Sequence, residues 1–345
     1  MTEAGPVAGP VAGPVAGPVA VTGAEGFIGS HLVEALVAAG HRVRAMAQYN
    51  SFSSYGWLET LPDDVMDSVE VVLGDVRDPG SVDRLLAGTE AVYHLAALIA
   101  IPYSYQAPHS YVDTNVTGTL NVLETVRRLD IPRLVHTSTS ETYGTAQTVP
   151  ITEDHPINTQ SPYAASKAGG DRLADSYHAS FGTQVVTLRP FNTFGPRQSM
   201  RAVIPTVIGQ VAAGERTITL GDLRPTRDFT FAKDTAQAFL AVGTAPAEAV
   251  VGHTFNAGTG GEISVGDLVT LIGKLMAADL EVREDPQRIR PAGSEVMRLV
   301  CDASRLRAAT GWAPAHSLEE GLEATIAFFR DPANLARYKT NVYNI

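Results

Sequence analysis

The stretch that decides the fold lies near the N-terminus and reads Val19-Ala20-Val21-Thr22-Gly23-Ala24-Glu25-Gly26-Phe27-Ile28-Gly29-Ser30-His31-Leu32. A short apolar run precedes three glycines spaced three apart, and apolar residues at helical spacing follow them. Such a strand–turn–helix lets the backbone approach a pyrophosphate, and the helix N-terminus adds N–H donors and a favourable dipole. We therefore expect a dinucleotide-binding turn made by Gly23, Gly26, Phe27, Ile28 and Gly29; the alternative is an ordinary glycine-rich turn.

Strand and helix patterns alternate beyond this turn. Strands are predicted at 19–21, 41–46, 69–73, 91–95, 133–137 and 184–188, with helices between them that include 115–129 and 163–181. This alternation indicates an α/β fold with a doubly wound, parallel, Rossmann-type sheet. After about Pro190 the pattern becomes irregular, with helices at 265–276 and 318–329, which predicts a smaller interleaved C-terminal lobe. We expect a dinucleotide-binding domain over 18–190 and a mainly substrate-binding lobe over 191–345.

Composition narrows the class of protein. The chain has 345 residues, of which 44% are hydrophobic, and a net charge of −11, which argues against nucleic acid or an anionic membrane as partner. An anionic substrate stays compatible, because a few local arginines suffice to bind it. The single cysteine, Cys301, excludes an intramolecular disulfide framework and is best interpreted as a small buried hydrophobe. We expect a soluble, cytoplasmic protein and assign no metal ligands.

The first residues form a low-complexity extension. Ala4-Gly5-Pro6-Val7 repeats four times through Val19. Proline at every fourth position removes backbone donors and glycine adds flexibility, so we expect residues 1–17 to be disordered or extended.

A second motif, Ser161-Pro162-Tyr163-Ala164-Ala165-Ser166-Lys167, carries the chemistry. Tyr163 and Lys167 are four residues apart and therefore share one face of a helix. A phenol keeps its proton until about pH 10, and a neighbouring ammonium is expected to lower that pKa. The pair can take a proton from a substrate hydroxyl while a nicotinamide takes the hydride. The alternative is a tyrosine and a lysine on an ordinary solvated helix.

Residues that follow the predicted strands complete the candidate cofactor site. Asp75, followed by Val76, offers a carboxylate to an adenine amino group, and the small residues of Leu95-Ala96-Ala97 let a cofactor lie against the backbone. The hydroxyls and carboxylate of residues 136–144 are costly to bury unpaired, so they are expected to face a polar ligand. The alternative here is a hydroxyl-rich turn.

With these motifs in this order, the chain from Val19 to Ile345 resembles the extended short-chain dehydrogenases/reductases, in the nucleotide-sugar epimerase and dehydratase family. Further stretches carry the resemblance: residues 113–119, 189–197, 221–222, 227–229, 290–291 and 311–314. The resemblance implies that Thr139 bonds the sugar 4-hydroxyl, that Tyr163 is the base, and that Lys167 holds Tyr163 and the nicotinamide ribose. It also implies that Asn192, Arg227 and Arg290 meet the substrate diphosphate, a task that suits arginine.

The two residues after Thr139 separate the reactions of this family, which share oxidation at C4. A 4,6-dehydratase needs a base at C5 and an acid near the C6 oxygen. Glucose-type dehydratases commonly carry Asp-Glu there and GDP-mannose 4,6-dehydratases carry Ser-Glu, as here in Ser140-Glu141. Plain 4-epimerases usually have small or hydroxyl residues. Glu141 therefore favours elimination, although decarboxylases of the UDP-4-amino-arabinose pathway share Thr-Ser-Glu.

A finer resemblance points to a substrate. Residues 98–105, 201–205, 225–229 and the C-terminal 338–339 and 343–345 are similar to UDP-N-acetylglucosamine 4,6-dehydratases of the legionaminic acid pathway. The resemblance implies that Glu141 takes the C5 proton, that Ser140 helps to protonate the departing hydroxyl, and that Tyr103, Tyr105 and Val203 lie on the substrate side. UDP-glucuronate epimerase or decarboxylase activity is the alternative, and a non-catalytic NAD(P)-sensing protein is a remote one. The nucleotide stays undetermined.

Cofactor choice and assembly complete the expectations. NAD-specific members place an acid at the end of the second strand. Here that position is Ala47, followed by Gln48, Tyr49 and Asn50, with neither an acid for a 2′-hydroxyl nor an arginine cluster for a 2′-phosphate. The sequence favours NAD slightly over NADP, tightly bound and recycled because the hydride returns to the same sugar. In the family, the helices at 115–129 and 163–181 form a dimer bundle, so we expect a homodimer.

Overall fold

The computed structural model describes residues 17–289, 291–340 and 342–344. Most of the predicted extension, Arg290 and Ile345 lie outside the described residues.

A seven-stranded sheet forms the centre of the molecule. Its strands, in sequence order, are β1 (Val19–Thr22), β2 (Val43–Gln48), β3 (Val69–Gly74), β4 (Ala91–His94), β5 (Leu134–Thr137), β6 (Val185–Pro190) and β11 (Thr254–Ala257). They lie in the order β11-β6-β5-β4-β1-β2-β3, and every pair is parallel. The chain order reverses between β1 and β4, which is where ligands bind in such sheets. The predicted doubly wound parallel sheet is confirmed.

The remaining strands are short. They are β7 (Asn192–Phe194), β8 (Thr217–Leu220), β9 (Thr226–Arg227), β10 (Phe229–Phe231), β12 (Ile263–Ser264), β13 (Glu281–Glu284) and β14 (Arg298–Leu299). They form three small sheets, β10-β7, β12-β9-β14 and β13-β8.

Helices connect the strands. They are α1 (Phe27–Ala38), α2 (Asp63–Met66), α3 (Pro79–Leu86), α4 (Ile101–Gln106), α5 (Pro108–Tyr111), α6 (Gly118–Arg128), α7 (Pro162–Phe181), α8 (Val203–Ala212), α9 (Ala232–Thr244), α10 (Ala247–Val250), α11 (Val265–Met276), α12 (Ser304–Thr310), α13 (Leu318–Arg330) and α14 (Pro332–Leu335). A π-helix covers Val112–Thr117, and 3₁₀ turns cover Gly56–Thr60, Ser140–Tyr143, Pro286–Arg288 and Ala292–Ser294.

Both faces of the central sheet are covered because side chains alternate along each strand. Val19 and Val21 point into one core with α1, α9 and α12, whereas Ala20 points into a second core with α3, α6 and α7. The chain beyond residue 190 supplies α9, α12 and β11 to this sheet and builds a third core from α8, α11 and α13. Within the described ranges, no helix is both long and apolar enough to cross a membrane.

Candidate active site

The glycine turn between β1 and α1 is packed as a phosphate cradle requires. Gly23 has φ +68°, and a Cβ there would lie 2.8 Å from the amide nitrogen of Ala96. A Cβ at Gly29 would lie 2.1 Å from the Gly23 carbonyl oxygen. Gly26 caps α1, so no side chain of its own covers the N–H groups of the first turn, which begins Phe27-Ile28. This close-packed turn fits the pyrophosphate of a dinucleotide.

The ends of β1 and β4 are joined at the point where the chain order reverses. The Thr22 hydroxyl accepts hydrogen bonds of 3.1 Å from the N–H groups of Leu95 and Ala96 and pairs with His94 Nδ1 at 2.8 Å. Leu95, Ala96 and Ala97 are thereby held beside the glycine turn. The sequence analysis gave Thr22 no role, although its position at the end of the first strand was the available signal.

The predicted adenine-side residues lie at the end of β3. The Asp75 carboxylate receives two side-chain N–H groups of Arg77, the shorter bond measuring 2.6 Å, and this pairing lowers its pKa. Val76 is buried, and a Cβ on Gly118 would lie 2.9 Å from it. Asp75 therefore stays at the expected strand end, but its partnership with Arg77 was not predicted.

The turn after β5 carries the predicted Thr139, Ser140 and Glu141. Thr139 precedes the 3₁₀ turn Ser140–Tyr143, and its hydroxyl oxygen accepts a 3.3 Å hydrogen bond from the Glu141 N–H. Ser140 is buried and Glu141 is half-buried. The turn therefore presents two hydroxyls and a carboxylate within three consecutive residues at a strand end.

Helix α7 carries the tyrosine and lysine. It begins at Pro162, and the Ser161 hydroxyl caps it by accepting a 3.1 Å bond from the Ala164 N–H. Tyr163 and Lys167 are only 8% and 4% exposed. This burial contradicts the alternative of a solvated helix face.

The expected direction of the Tyr163 pKa was wrong for the protein alone. Burial raises the pKa of Tyr163, the negative charge of Glu141 raises it further, and hydrogen bonding with Thr139 opposes them only in part. Burial also lowers the pKa of Lys167 to about 8, against the opposing effect of Asp171. Desolvation disfavours both charged forms and outweighs the mutual help that the spacing suggested.

A buried polar network supports both catalytic elements. Asp171, one turn after Lys167, receives hydrogen bonds from His136 (3.1 Å), Ser138 (2.6 Å) and Arg189 (2.8 Å). Burial alone would raise the pKa of Asp171, but these donors and the arginine charge lower it. Arg189 also bonds the Tyr143 hydroxyl at 2.7 Å. Asp171 therefore ties the turn after β5 to helix α7.

A cavity opens beside Tyr163. It measures about 190 Å³ and is lined by residues 97–100, Tyr103, Tyr111 and Arg201. The Tyr111 ring meets the Tyr163 ring edge-on, with 6.3 Å between centroids. Tyr103 thus lines this cavity, whereas the Tyr105 hydroxyl bonds that of Ser294. Arg201 was not predicted as a cavity residue, although the stretch 201–205 that contains it was among those that carry the resemblance.

The remaining residues proposed for the substrate lie on the small sheets and on α8. Asn192 begins β7, and its Oδ1 is buried without a hydrogen-bond partner in the described part of the chain. Val203 begins α8. Arg227 in β9 pairs with Glu295 at 3.3 Å and donates to the Thr226 carbonyl. Arg290 lies outside the described residues, so its predicted role is not addressed.

Asn115 is a further residue that the sequence analysis quoted without giving it a role. Its side-chain amide bonds both the N–H and the carbonyl oxygen of Leu98 at 2.9 Å, and donates to the Ser166 hydroxyl at 2.9 Å. Ser166 in turn donates to the Tyr163 carbonyl. Asn115 therefore fixes the loop after β4 against the catalytic helix.

Comparisons with known proteins agree with this geometry. The family model described as GDP-mannose 4,6 dehydratase matches residues 20–325. A UDP-glucose 4-epimerase from Mycolicibacterium smegmatis is 36% identical over 318 residues, covering 90% of this chain and 98% of the relative. A dTDP-glucose 4,6-dehydratase from Xanthomonas campestris pv. campestris is 34% identical over 334 residues, covering 90% and 92%.

A solved structure matches along nearly its whole length. The dTDP-glucose 4,6-dehydratase of Streptomyces venezuelae, determined with NAD bound, superposes with a TM-score of 0.84 at 29% identity, covering 93% of this chain and 99% of that one. Dehydratases and epimerases are therefore similar to the chain to nearly the same degree.

Proposed function

The chain belongs to the GDP-mannose 4,6-dehydratase family of nucleotide-sugar dehydratases and epimerases, and we propose that it is an NAD-dependent 4,6-dehydratase acting on UDP-N-acetylglucosamine. The product is a 4-keto-6-deoxy sugar. One observation supports elimination: Glu141 lies in the 3₁₀ turn that begins directly after Thr139, and its N–H donates a 3.3 Å hydrogen bond to the Thr139 hydroxyl. A carboxylate beside the C4 base is what removal of the neighbouring C5 proton requires.

The close packing of the glycine turn against the segment 95–97 supports their assignment to NAD. When bound, NAD accepts the hydride from C4 and supplies it again at C6. Tyr163 takes the proton of the 4-hydroxyl, and Thr139 orients that hydroxyl. Lys167, one turn away, stabilises the phenolate when it carries its proton.

The elimination uses the turn after β5. Glu141 removes the C5 proton, which the 4-keto group has made acidic, and the electron pair expels the C6 hydroxyl. Ser140 helps to deliver the proton with which that hydroxyl leaves as water. The hydride returns to C6 and a proton to C5, so the sum is loss of one water with no net oxidation of the sugar.

We assign substrate recognition to the cavity lined by Tyr103 and Arg201 and to the part of the chain beyond residue 190. Tyr103 and Arg201 line the cavity beside Tyr163 and belong to stretches that resemble UDP-N-acetylglucosamine 4,6-dehydratases. Asn192 offers a buried, unpartnered amide oxygen within the described residues. We assign Asn192, Arg227 and Arg290 to the nucleotide diphosphate and Val203 to the substrate side.

A 4-epimerase or decarboxylase is the second candidate. The 36% identity to a UDP-glucose 4-epimerase favours it, and Arg201 in the cavity is a cation that a C6 carboxylate of UDP-glucuronate would use. A non-catalytic NAD(P) sensor is disfavoured because Thr139, Tyr163 and Lys167 are all present and tightly packed.

Mass spectrometry of purified protein with NAD and UDP-N-acetylglucosamine tests the proposal. Loss of one water supports a dehydratase. In parallel reactions with UDP-glucose and UDP-glucuronate, an isomer of unchanged mass means an epimerase and loss of carbon dioxide means a decarboxylase. Isomer formation or carbon dioxide loss, with no loss of water from any of these nucleotide sugars, contradicts the proposal.

We also propose a homodimer formed through the π-helix, α6 and α7. Large apolar side chains on these elements face outward, since Val112 is 50% and Phe181 is 58% exposed. Light scattering on the purified protein is expected to give twice the chain mass, and Phe181→Asp to lower it. A monomeric wild type contradicts the assignment.

A further inference from the structure

The end of β2 lacks the acid that NAD-binding proteins usually place there. Ala47 is fully buried in the core, and Gln48 ends the strand. From the sequence alone, no carboxylate was available at this point for the ribose hydroxyls. The structure brings one from a different element.

That carboxylate belongs to Glu25, in the glycine turn between Gly23 and Gly26. Its Oε1 accepts a 3.0 Å hydrogen bond from the Gln48 N–H, which fixes the side chain at the end of β2. Its backbone carbonyl accepts a 3.0 Å bond from the Trp57 N–H. A Cβ on Gly56 would lie 2.7 Å from that carbonyl oxygen, so the turn at 56–57 is pressed against Glu25.

The second carboxylate oxygen is the informative atom. Glu25 Oε2 is buried and has no hydrogen-bond partner anywhere in the described ranges. Burial of a carboxylate without a full set of donors is costly, and it raises the pKa of Glu25. A ligand that brings hydroxyl donors to this point would satisfy the orphaned oxygen.

The arginines near this point are already engaged and are not available to bind a 2′-phosphate. Arg44 on β2 bonds Glu70 and the carbonyls of Leu85 and Ala87. Arg77 after β3 bonds Asp75. Both guanidinium groups are thus already paired with carboxylates, while Glu25 presents an unpaired acceptor.

We propose that Glu25 binds the 2′-hydroxyl of the adenosine ribose through Oε2 and thereby selects NAD against NADP. The inference rests on the proposed use of a nicotinamide dinucleotide. A hydroxyl donates to the carboxylate, whereas a 2′-phosphate places like charge beside it. The glycine turn thus supplies the acid that β2 lacks.

A competition experiment tests the inference without any turnover. Purified protein is exchanged against equal concentrations of NAD and NADP, and the retained dinucleotides are released with acid and quantified. Wild type is expected to retain mainly NAD. Glu25→Gln keeps an acceptor for the Gln48 N–H but loses the charge, and it is expected to shift the NAD-to-NADP ratio toward NADP by about 10- to 100-fold, the usual worth of a hydrogen bond to a charged group.

Asp67→Asn is the control, since it removes a negative charge from an exposed position just before β3 and is expected to leave the ratio unchanged. Glu25→Ser, which removes the side chain further, is expected to shift the ratio in the same direction as Glu25→Gln. An unchanged ratio in folded Glu25→Gln and Glu25→Ser overturns the inference while leaving the proposed function intact. Wild type that retains neither dinucleotide overturns both.

Discussion

Ser138, directly after β5, donates a 2.6 Å hydrogen bond to Asp171, one turn beyond Lys167 on α7. The two segments proposed to be catalytic, residues 139–141 and 163–167, are therefore tied together. Asp171 also opposes the loss of charge on Lys167. The carboxylate is accordingly a positioning residue with an electrostatic effect on the catalytic lysine.

Asp171→Asn is expected to lower the pKa of Lys167 below its value of about 8, because the favourable negative charge is lost. Because protonated Lys167 is proposed to stabilise the Tyr163 phenolate, the decrease of kcat at alkaline pH is expected to begin at a lower pH in this variant. Breaking the buried pair with Arg189 also destabilises the fold by about 3–5 kcal/mol. The pH profile of kcat and the melting temperature measure the two effects.

Asp175→Asn is the control for that variant, because Asp175 lies one turn further along α7 in an exposed pair with Arg172. It is expected to leave the pH profile unchanged. An alkaline limb at the same pH in Asp171→Asn and wild type would refute the electrostatic role.

Tyr163→Phe is expected to lower kcat by about 10²- to 10⁴-fold, the range for loss of a general base, while KM changes little. Steady-state kinetics and substrate titration measure both constants. Tyr177→Phe removes a phenol from the same helix, where it bonds Glu124, and is expected to keep activity. Comparable turnover in Tyr163→Phe and wild type would exclude this phenol as the base.

Glu141→Gln is expected to separate oxidation from elimination. Tyr163 still takes the 4-hydroxyl proton, so reduced nicotinamide accumulates and its absorbance rises, but no base removes the C5 proton. Stopped-flow absorbance and mass spectrometry of the sugar follow the two steps. Water loss at the wild-type rate in this variant would remove Glu141 from the mechanism.

Acid is expected to destabilise the fold through two stacked, buried histidines. Burial lowers the pKa of His94 and of His136, so the unfolded chain binds more protons below its histidine pKa of about 6.5. Stability is fully present above that pH and falls as pH drops below it. Asp171, with its lowered pKa, adds a loss at still lower pH.

Melting temperatures measured between pH 7 and 5 check this slope. His94→Asn is expected to flatten it, and His109→Gln, which changes an exposed histidine, to leave it as in wild type. A melting temperature independent of pH in wild type would contradict the buried, neutral state of these rings.

The sequence predicted six of the seven central strands because each is a compact apolar run between helical patterns. The seventh, Thr254–Ala257, was missed because it is four residues long and lies in the Gly-rich half of the chain. Its place beside β6 depends on pairing between residues nearly seventy positions apart, which local pattern does not encode.

Gly23 and Thr139 were proposed as site residues because a motif and a strand end coincide there, and Tyr163 because of its helical spacing from Lys167. Glu25 and Arg201 were missed because their roles depend on which distant segment packs beside them. The predicted direction of the Tyr163 pKa shift was wrong, because the spacing of residues in the sequence indicates a neighbouring charge but not the depth of burial.

Following a labelled hydrogen from C4 distinguishes 4,6-dehydration from 4-epimerisation. UDP-N-acetylglucosamine carrying deuterium at C4 is incubated with the protein and NAD, and the product is analysed by NMR and mass spectrometry. We expect a 4-keto-6-deoxy sugar with the deuterium at C6, because the proposed dehydratase returns to C6 the hydride that was removed from C4. A sugar of unchanged mass with the deuterium returned to C4 would contradict dehydration and identify an epimerase.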